Sequence, residues 1–255
     1  MLNTLLPWAV AALAAAGPYA ASRRPALNGE DVLAKTRAAY ETLTSYADSG
    51  TVLEEATGYK ERATFRTFYT REPNNLFIEF RAVASEYDDG NRIPLGTHVV
   101  LWMENGELQT WSSVSQSHQI YPRAEGQQVN AVQGEAPFTK GISVLVPSHL
   151  YKASGLASAV HAAEEVEADG FETVNGRKCH RIVGVERWRY PSGQVTGVRA
   201  ITIWIDAETY LIHKIFQDTP KGYPRNGISR LTTTIKYQAN PKLAPALFRF
   251  KVPTN

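Results

Sequence analysis

Residues 68–80 read FYTREPNNLFIEF. An aromatic run stops at a Pro-Asn-Asn turn and a second alternating run follows, the pattern of two strands folded back on one another. Side chains alternate across a strand, so Ala63, Phe65, Thr67 and Tyr69 share one face, as do Leu76, Ile78, Phe80 and Ala82. Arg62, Arg66, Glu79 and Arg81 fall on the opposite face, and Phe77 turns away with them. One face is apolar and the other charged, which suggests a sheet built to hold something apolar.

The same period-two pattern runs almost to the C-terminus. Strands are expected over 50–55, 61–71, 75–84, 97–104, 107–113, 166–174, 177–187, 197–206, 210–218 and 228–237. Asn105-Gly106 and Asn175-Gly176 supply two tight hairpin turns, and Asp206-Ala-Glu-Thr a third join. Successive hairpins make an antiparallel meander. A sheet of about ten strands must curl to bury an apolar face, and the curl leaves a concave surface for a helix or ligand. One helix precedes the strands: Asn28 can cap it, Asp31 completes a capping-box-like spacing, and VLAKTRAAYETL follows. Val32, Thr36, Ala39 and Leu43, with Leu33, Ala34 and Tyr40, form its apolar stripe, and Lys35, Arg37 and Glu41 face away. This helix is expected to end between Tyr46 and Gly50. The fold class is therefore α+β, mainly β.

Residues 1–22, MLNTLLPWAVAALAAAGPYAAS, combine an apolar core from Leu5 to Ala16 with small residues after it. That is the form of a secretory signal, too short to span a bilayer. The expectation is a periplasmic protein, soluble after cleavage, with residues 23–255 as one domain. Charge is balanced, 27 Lys plus Arg against 25 Asp plus Glu, and the basic residues are scattered, which argues against nucleic-acid binding. The single cysteine, Cys179, permits no internal disulfide. The stretch from Arg123 to Ala163 breaks the strand pattern with Gly, Pro and short helical runs. Val144, Leu145, Val146, Leu150 and Tyr151 would let it act as a helical lid over the concave face, although core packing explains the same residues.

No HExxH, CxxC or GxSxG string occurs, and no two of the six histidines stand at a metal-ligand interval within one element. Cys179 and His180 are adjacent in a strand and so point to opposite faces. The reading is non-catalytic, with no metal and no cofactor; an envelope hydrolase using distant residues is the least favoured alternative. In ITIWID the isoleucines Ile201, Ile203 and Ile205 oppose Ala200, Thr202 and Trp204, and the isoleucine face is taken as concave. Val99, Leu101 and Met103 likewise oppose Val100 and Trp102, and Met103 would suit a pocket that adapts to flexible chains. The apolar cavity is thus assigned to Phe65, Tyr69, Leu76, Ile78 and Phe80, to Val99, Leu101 and Met103, and to Ile201 and Ile203. Arg71, at a strand end, is placed at its mouth.

Several motifs in fixed order resemble the LolA-like group of periplasmic lipoprotein-sorting and lipid-binding proteins, in its uncharacterised branch. YTREPNNLFIEF is similar to that group's Arg-x-Pro-Asn-x-Leu turn, and WMENGELQTWSSVSQSHQIY to its hairpin and aromatic strand. GISVLVPSHLY resembles the lid segment, VNGRKCHRIVG the next Asn-Gly hairpin, ITIWIDAETYLIHKI the Trp-x-Asp hairpin, and NPKLAPALFRFKVP the terminal Leu-Phe-x-Phe-x-x-Pro. The resemblance implies an unclosed antiparallel β-barrel with helices across its mouth and a cavity for lipid or lipoprotein acyl chains. It also implies an alternative role, an envelope sensor or interaction module whose partner is a membrane protein.

Overall fold

The computed structural model describes residues 28–56, 58–87, 92–94, 96–104, 106–121, 163–189, 195–218 and 228–253. The signal segment and the lid residues Val144, Leu145, Val146, Leu150 and Tyr151 lie outside the described residues.

A helix, α1 (Gly29–Thr42), leads into β1 (Ser45–Ala56), β2 (Tyr59–Thr70), β3 (Asn75–Tyr87), β4 (Arg92–Pro94), β5 (His98–Glu104), β6 (Glu107–Ser112) and β7 (Ser117–Tyr121). Then come β8 (Ala163–Val174), β9 (Arg177–Arg189), β10 (Val195–Asp206), β11 (Ile212–Asp218) and β12 (Ile228–Ala239), followed by a short 3₁₀ turn, Pro245–Phe248. All twelve strands belong to one sheet of order β7-β6-β5-β3-β2-β1-β12-β11-β10-β9-β8, with β4 beside β3. Every strand pairing among the described residues is antiparallel. Among the described strands β7 and β8 stand at the two ends of this order. The sheet is an unclosed barrel-like structure, as expected, built from two meanders joined at β1. β1 takes the first arm's β2 on one side and the chain's last strand, β12, on the other.

Two corrections concern α1 and its neighbour. The helix stops at Thr42, and the residues from Ser45 onward are already strand. Leu43 turns to extended backbone, and Arg71 takes over the freed carbonyls, donating from Nε to Leu43 O at 3.0 Å and from Nη2 to Glu41 O at 2.6 Å. Ala34 is exposed instead of lying in the apolar stripe, whereas Val32, Leu33, Thr36 and Tyr40 are buried. At the other end Asn28 caps as expected, its side chain accepting from Asp31 N at 2.7 Å. The strands β4 and β7 were not anticipated. β4 is only three residues long, and β7, SHQIY, is mostly exposed and so lacks clear alternation.

Close approach places the helix. A Cβ on Gly29 would stand 2.8 Å from the carbonyl carbon and oxygen of Val166, so the first turn of α1 lies directly on the backbone of β8. Gly50 performs the corresponding service in β1, where the Phe65 ring crosses the space a side chain would fill. The Asn175-Gly176 hairpin takes the positive φ values, 52° and 77°, that its tight turn needs.

Replacing Gly50 by alanine puts a Cβ 2.5 Å from the Phe65 ring and onto the Thr234 carbonyl oxygen. The variant is expected to lose about 2–4 kcal/mol of stability. Urea unfolding checks this, and a wild-type midpoint would contradict the packing described.

Candidate functional site: the inner sheet face

Register turns the alternation into a continuous surface. One transverse row runs Ala82, Ala63, Val52, Thr233, Ile215, Ile203 and Ile182 across seven strands of both arms. A second runs Val99, Phe80, Phe65, Gly50 and Ile235. The ten residues assigned to the cavity, Phe65, Tyr69, Leu76, Ile78, Phe80, Val99, Leu101, Met103, Ile201 and Ile203, are all buried and belong to one apolar cluster. Val32, Leu33, Tyr40 and Leu43 join it, so this face is the one α1 covers. Ile205 belongs to the cluster as well, whereas Trp204 lies on the other face with Val174, Cys179 and Phe216.

The outer face is a separate chemical environment. Phe77, Val100 and Trp102 are sealed there by Phe248, with Leu243, Phe250 and Val252 of the C-terminal segment against them. Beside them Glu79 accepts from Arg81 Nη2 at 2.7 Å and Arg66 Nε at 2.5 Å, and its Oε1 lies 2.8 Å from His98 Nε2. Burial works to raise the Glu79 carboxyl, but Arg81, Arg66 and His98 together hold it below its usual value. Arg66 and Arg81 thus face away from the apolar surface, as the alternation requires. Arg71 uses its guanidinium on the end of α1, which ties the helix to the β2–β3 turn.

Buried polar side chains such as Glu54 and Thr233 interrupt the inner face, and two further places stand out. In β1, Asp48 shares the face of Tyr46 and Val52 and stands opposite Thr67 of β2 and Tyr237 of β12. A chain of contacts leads to it from the helix: Ile212 N donates to Tyr40 Oη at 3.2 Å, the Tyr40 and Tyr46 rings are 5.8 Å apart, and Tyr46 Oη donates to Asp48 Oδ2 at 3.0 Å. Burial pushes the Asp48 carboxyl up to about 7, with Thr67 and the Tyr46 hydroxyl opposing, and raises both tyrosine hydroxyls. Thr67 is near enough to influence the carboxyl, yet neither its Oγ1 nor Asp48 Oδ1 completes a hydrogen bond. The second place lies toward the opposite strand ends. Glu186 Oε2 there accepts from Arg199 Nε at 2.6 Å and Gln217 Nε2 at 3.0 Å. Register sets Glu186 against Arg199, and Gln217 against Ile201, on the inner face.

Sequence reading missed Asp48 because the strand was started at Gly50. Extending the alternation back through Tyr46 would have placed an acid on the apolar face. The catalytic alternatives fare as follows. Cys179 packs with Trp204 on the outer face, and burial raises its thiol to about 11, which leaves little thiolate near neutrality. His180 lies on the inner side between Phe171 and Tyr210, with ring centroids 4.8 and 5.8 Å away. Among the described residues no group of three His, Cys, Asp or Glu side chains could hold a metal.

No family model matches the chain, and no curated protein matches it. Solved structures do. The lipoprotein LppX of Mycobacterium tuberculosis is 11% identical over 85% of this chain and 97% of its own, with a TM-score of 0.45. LprF of Mycobacterium bovis is 14% identical over 89% and 96%, with a TM-score of 0.47. A LolA superfamily protein of Nitrosomonas europaea is 9% identical over 88% and 99%, with a TM-score of 0.31. Likeness at this level concerns the course of the chain and carries nothing about ligand or partner.

The raised Asp48 value has a definite sign. The native state keeps a proton that the unfolded chain releases near its ordinary value of 3.8. This group's contribution to stability is therefore full below about pH 4 and is lost as pH rises toward and through about 7. Asp48→Asn is expected to gain about 2–4 kcal/mol on the wild type between pH 4 and pH 8. Denaturant melts across that range check it, and a pH-independent difference would contradict it.

Proposed function

We propose that this protein binds a lipid, acyl chain or lipoprotein against the inner face of its sheet, without catalysis, in the cell envelope. The observation that carries the reading is the single apolar cluster drawn from both arms and closed at one end by α1. An acyl chain needs contiguous apolar surface and few directional bonds. At about 0.8 kcal/mol per buried CH₂, roughly ten methylenes contribute about 8 kcal/mol gross, before the losses of ordering the ligand and displacing whatever occupies the face. Micromolar affinity is within that range. Met103 and the long side chains around it can re-pack around a flexible chain.

The non-catalytic part of the reading is supported by the high thiol value and outer-face position of Cys179. Envelope localisation rests on the signal-like form of residues 1–22. Among the described residues no helix is long and apolar enough to cross a membrane. Under this reading the partners are lipid or lipoprotein acyl chains, with no nucleic acid.

Protein purified gently from an envelope fraction and extracted with organic solvent should release acyl lipid detectable by mass spectrometry. Delipidated protein should gain thermal stability with added long-chain lipid. A clean extract together with no thermal shift would overturn the proposal.

A further inference from the structure

On the inner face, toward the N-terminal end of β1, the apolar surface is broken by two facing oxygen atoms that complete no hydrogen bond. Asp48 Oδ1 and Thr67 Oγ1 are both inaccessible to solvent and without a hydrogen-bond partner. Their residues are 5% and 1% exposed and directly opposite in register between β1 and β2. The two oxygens face each other, near enough for the Thr67 hydroxyl to oppose the rise of the Asp48 carboxyl, and the other groups around them are apolar or already engaged. Tyr46 Oη is bonded to the other carboxylate oxygen, Gly50 offers no side chain, Phe65 and Tyr69 flank Thr67 on its strand, and Ile78 lies across from it on β3. Orphaned buried oxygens of this kind cost free energy in the empty protein, so their retention asks for an explanation.

We propose that this pair is a polar subsite for the ligand: it receives a hydrogen-bond donor, a hydroxyl or amide N–H, carried by an otherwise acyl-chain ligand. The proposal rests on the lipid-binding reading above and narrows it to donor-bearing amphiphiles such as acylglycerols or N-acyl compounds. The chemistry is directional. Asp48 Oδ1 accepts when the group is ionised and, with Oδ2 taken by Tyr46, carries the proton and donates when it is neutral; Thr67 Oγ1 can accept from the ligand or donate to it. Tyr46 fixes the carboxylate through Oδ2, so Oδ1 is held in place before a ligand arrives. A ligand carboxylate fits poorly, because it has no proton to offer and would meet an ionised Asp48 at alkaline pH. Around Asp48 the facing groups are Tyr46 on β1, Thr67 on β2, Tyr237 on β12 and Tyr40 on α1, none of them cationic. An ionised carboxyl here therefore lacks a charged protein partner among these neighbours, and a neutral donor is the group that improves its surroundings.

The test compares two probes of equal acyl length, a monoacylglycerol and a fatty acid methyl ester, on delipidated full-length protein by displacement of a fluorescent acylglycerol analogue. Wild type should favour the monoacylglycerol by about five- to tenfold, the worth of one or two buried hydrogen bonds. Thr67→Val is close to isosteric and should still fold, with only a small change in melting temperature because the hydroxyl helps hold the Asp48 carboxyl down. It should lose part of the preference while binding the methyl ester unchanged. Asp48→Leu should abolish the preference altogether. Equal affinity of wild type for the two probes would overturn the subsite while leaving lipid binding intact, and would assign the two oxygens to an ordered water. Failure of both probes to displace the analogue, with no thermal shift, would instead remove the lipid-binding reading itself. A preference that survives in both variants would also overturn the subsite.

Discussion

Everything in this molecule answers to one requirement: a wide sheet with one apolar face must have that face covered. Eleven strands at about 4.8 Å spacing make a ribbon roughly 50 Å across. A helix of fourteen residues is about 21 Å long and roughly 10 Å thick. Among the described residues α1 can therefore cover only a part of the face, and curling of the two arms about β1 brings further apolar surface together. β1 is suited to that position. It is bordered by both arms, it buries Tyr46 completely, and at Gly50 it gives up a side chain so that Phe65 can lie across it. The helix is held at its N-terminus by contact with the β8 backbone and at its C-terminus by the Arg71 guanidinium. It thus ties the β2–β3 turn of one arm to β8 of the other.

Against this apolar background the polar exceptions carry the information. On the outer face they are arranged as compensated clusters. Glu79 is surrounded by three nitrogen-bearing side chains, and Asp206 accepts from Arg177 and from the backbone N–H groups of Glu208 and Thr209. These stabilise turns and strand pairs and need no ligand. Asp48 differs because burial raises it while one oxygen goes unbound. A sheet designed only for stability would place a hydrophobe there, as it does at Val52 four residues on.

Much of this was legible before any coordinates. The Leu76, Ile78, Phe80 set and the Ile201, Ile203, Ile205 set were assigned to the inner face by period two alone, and both lie in the same cluster. Alternation works here because each strand has one apolar and one contrasting face. It failed where contrast was weak or ends were ambiguous. β7 buries none of its five residues, and Ser45–Ser49 lies where helix and strand signals overlap. Arg71 was placed at a strand end correctly, but its engagement with the Glu41 and Leu43 carbonyls depends on where the helix stops, which propensity did not locate. Transverse register across the two arms was beyond any local pattern, since it depends on β12 returning to β1.

The central claim is that an acyl chain occupies the inner face. Isoleucine methyl NMR with a monoacylglycerol spin-labelled on its acyl chain tests it most directly, because the label broadens only nearby signals. The account predicts loss of the Ile78, Ile203 and Ile215 methyl signals on the inner face, with the Ile120 signal on exposed β7 retained. Broadening confined to Ile120, or uniform across all isoleucines, would contradict it.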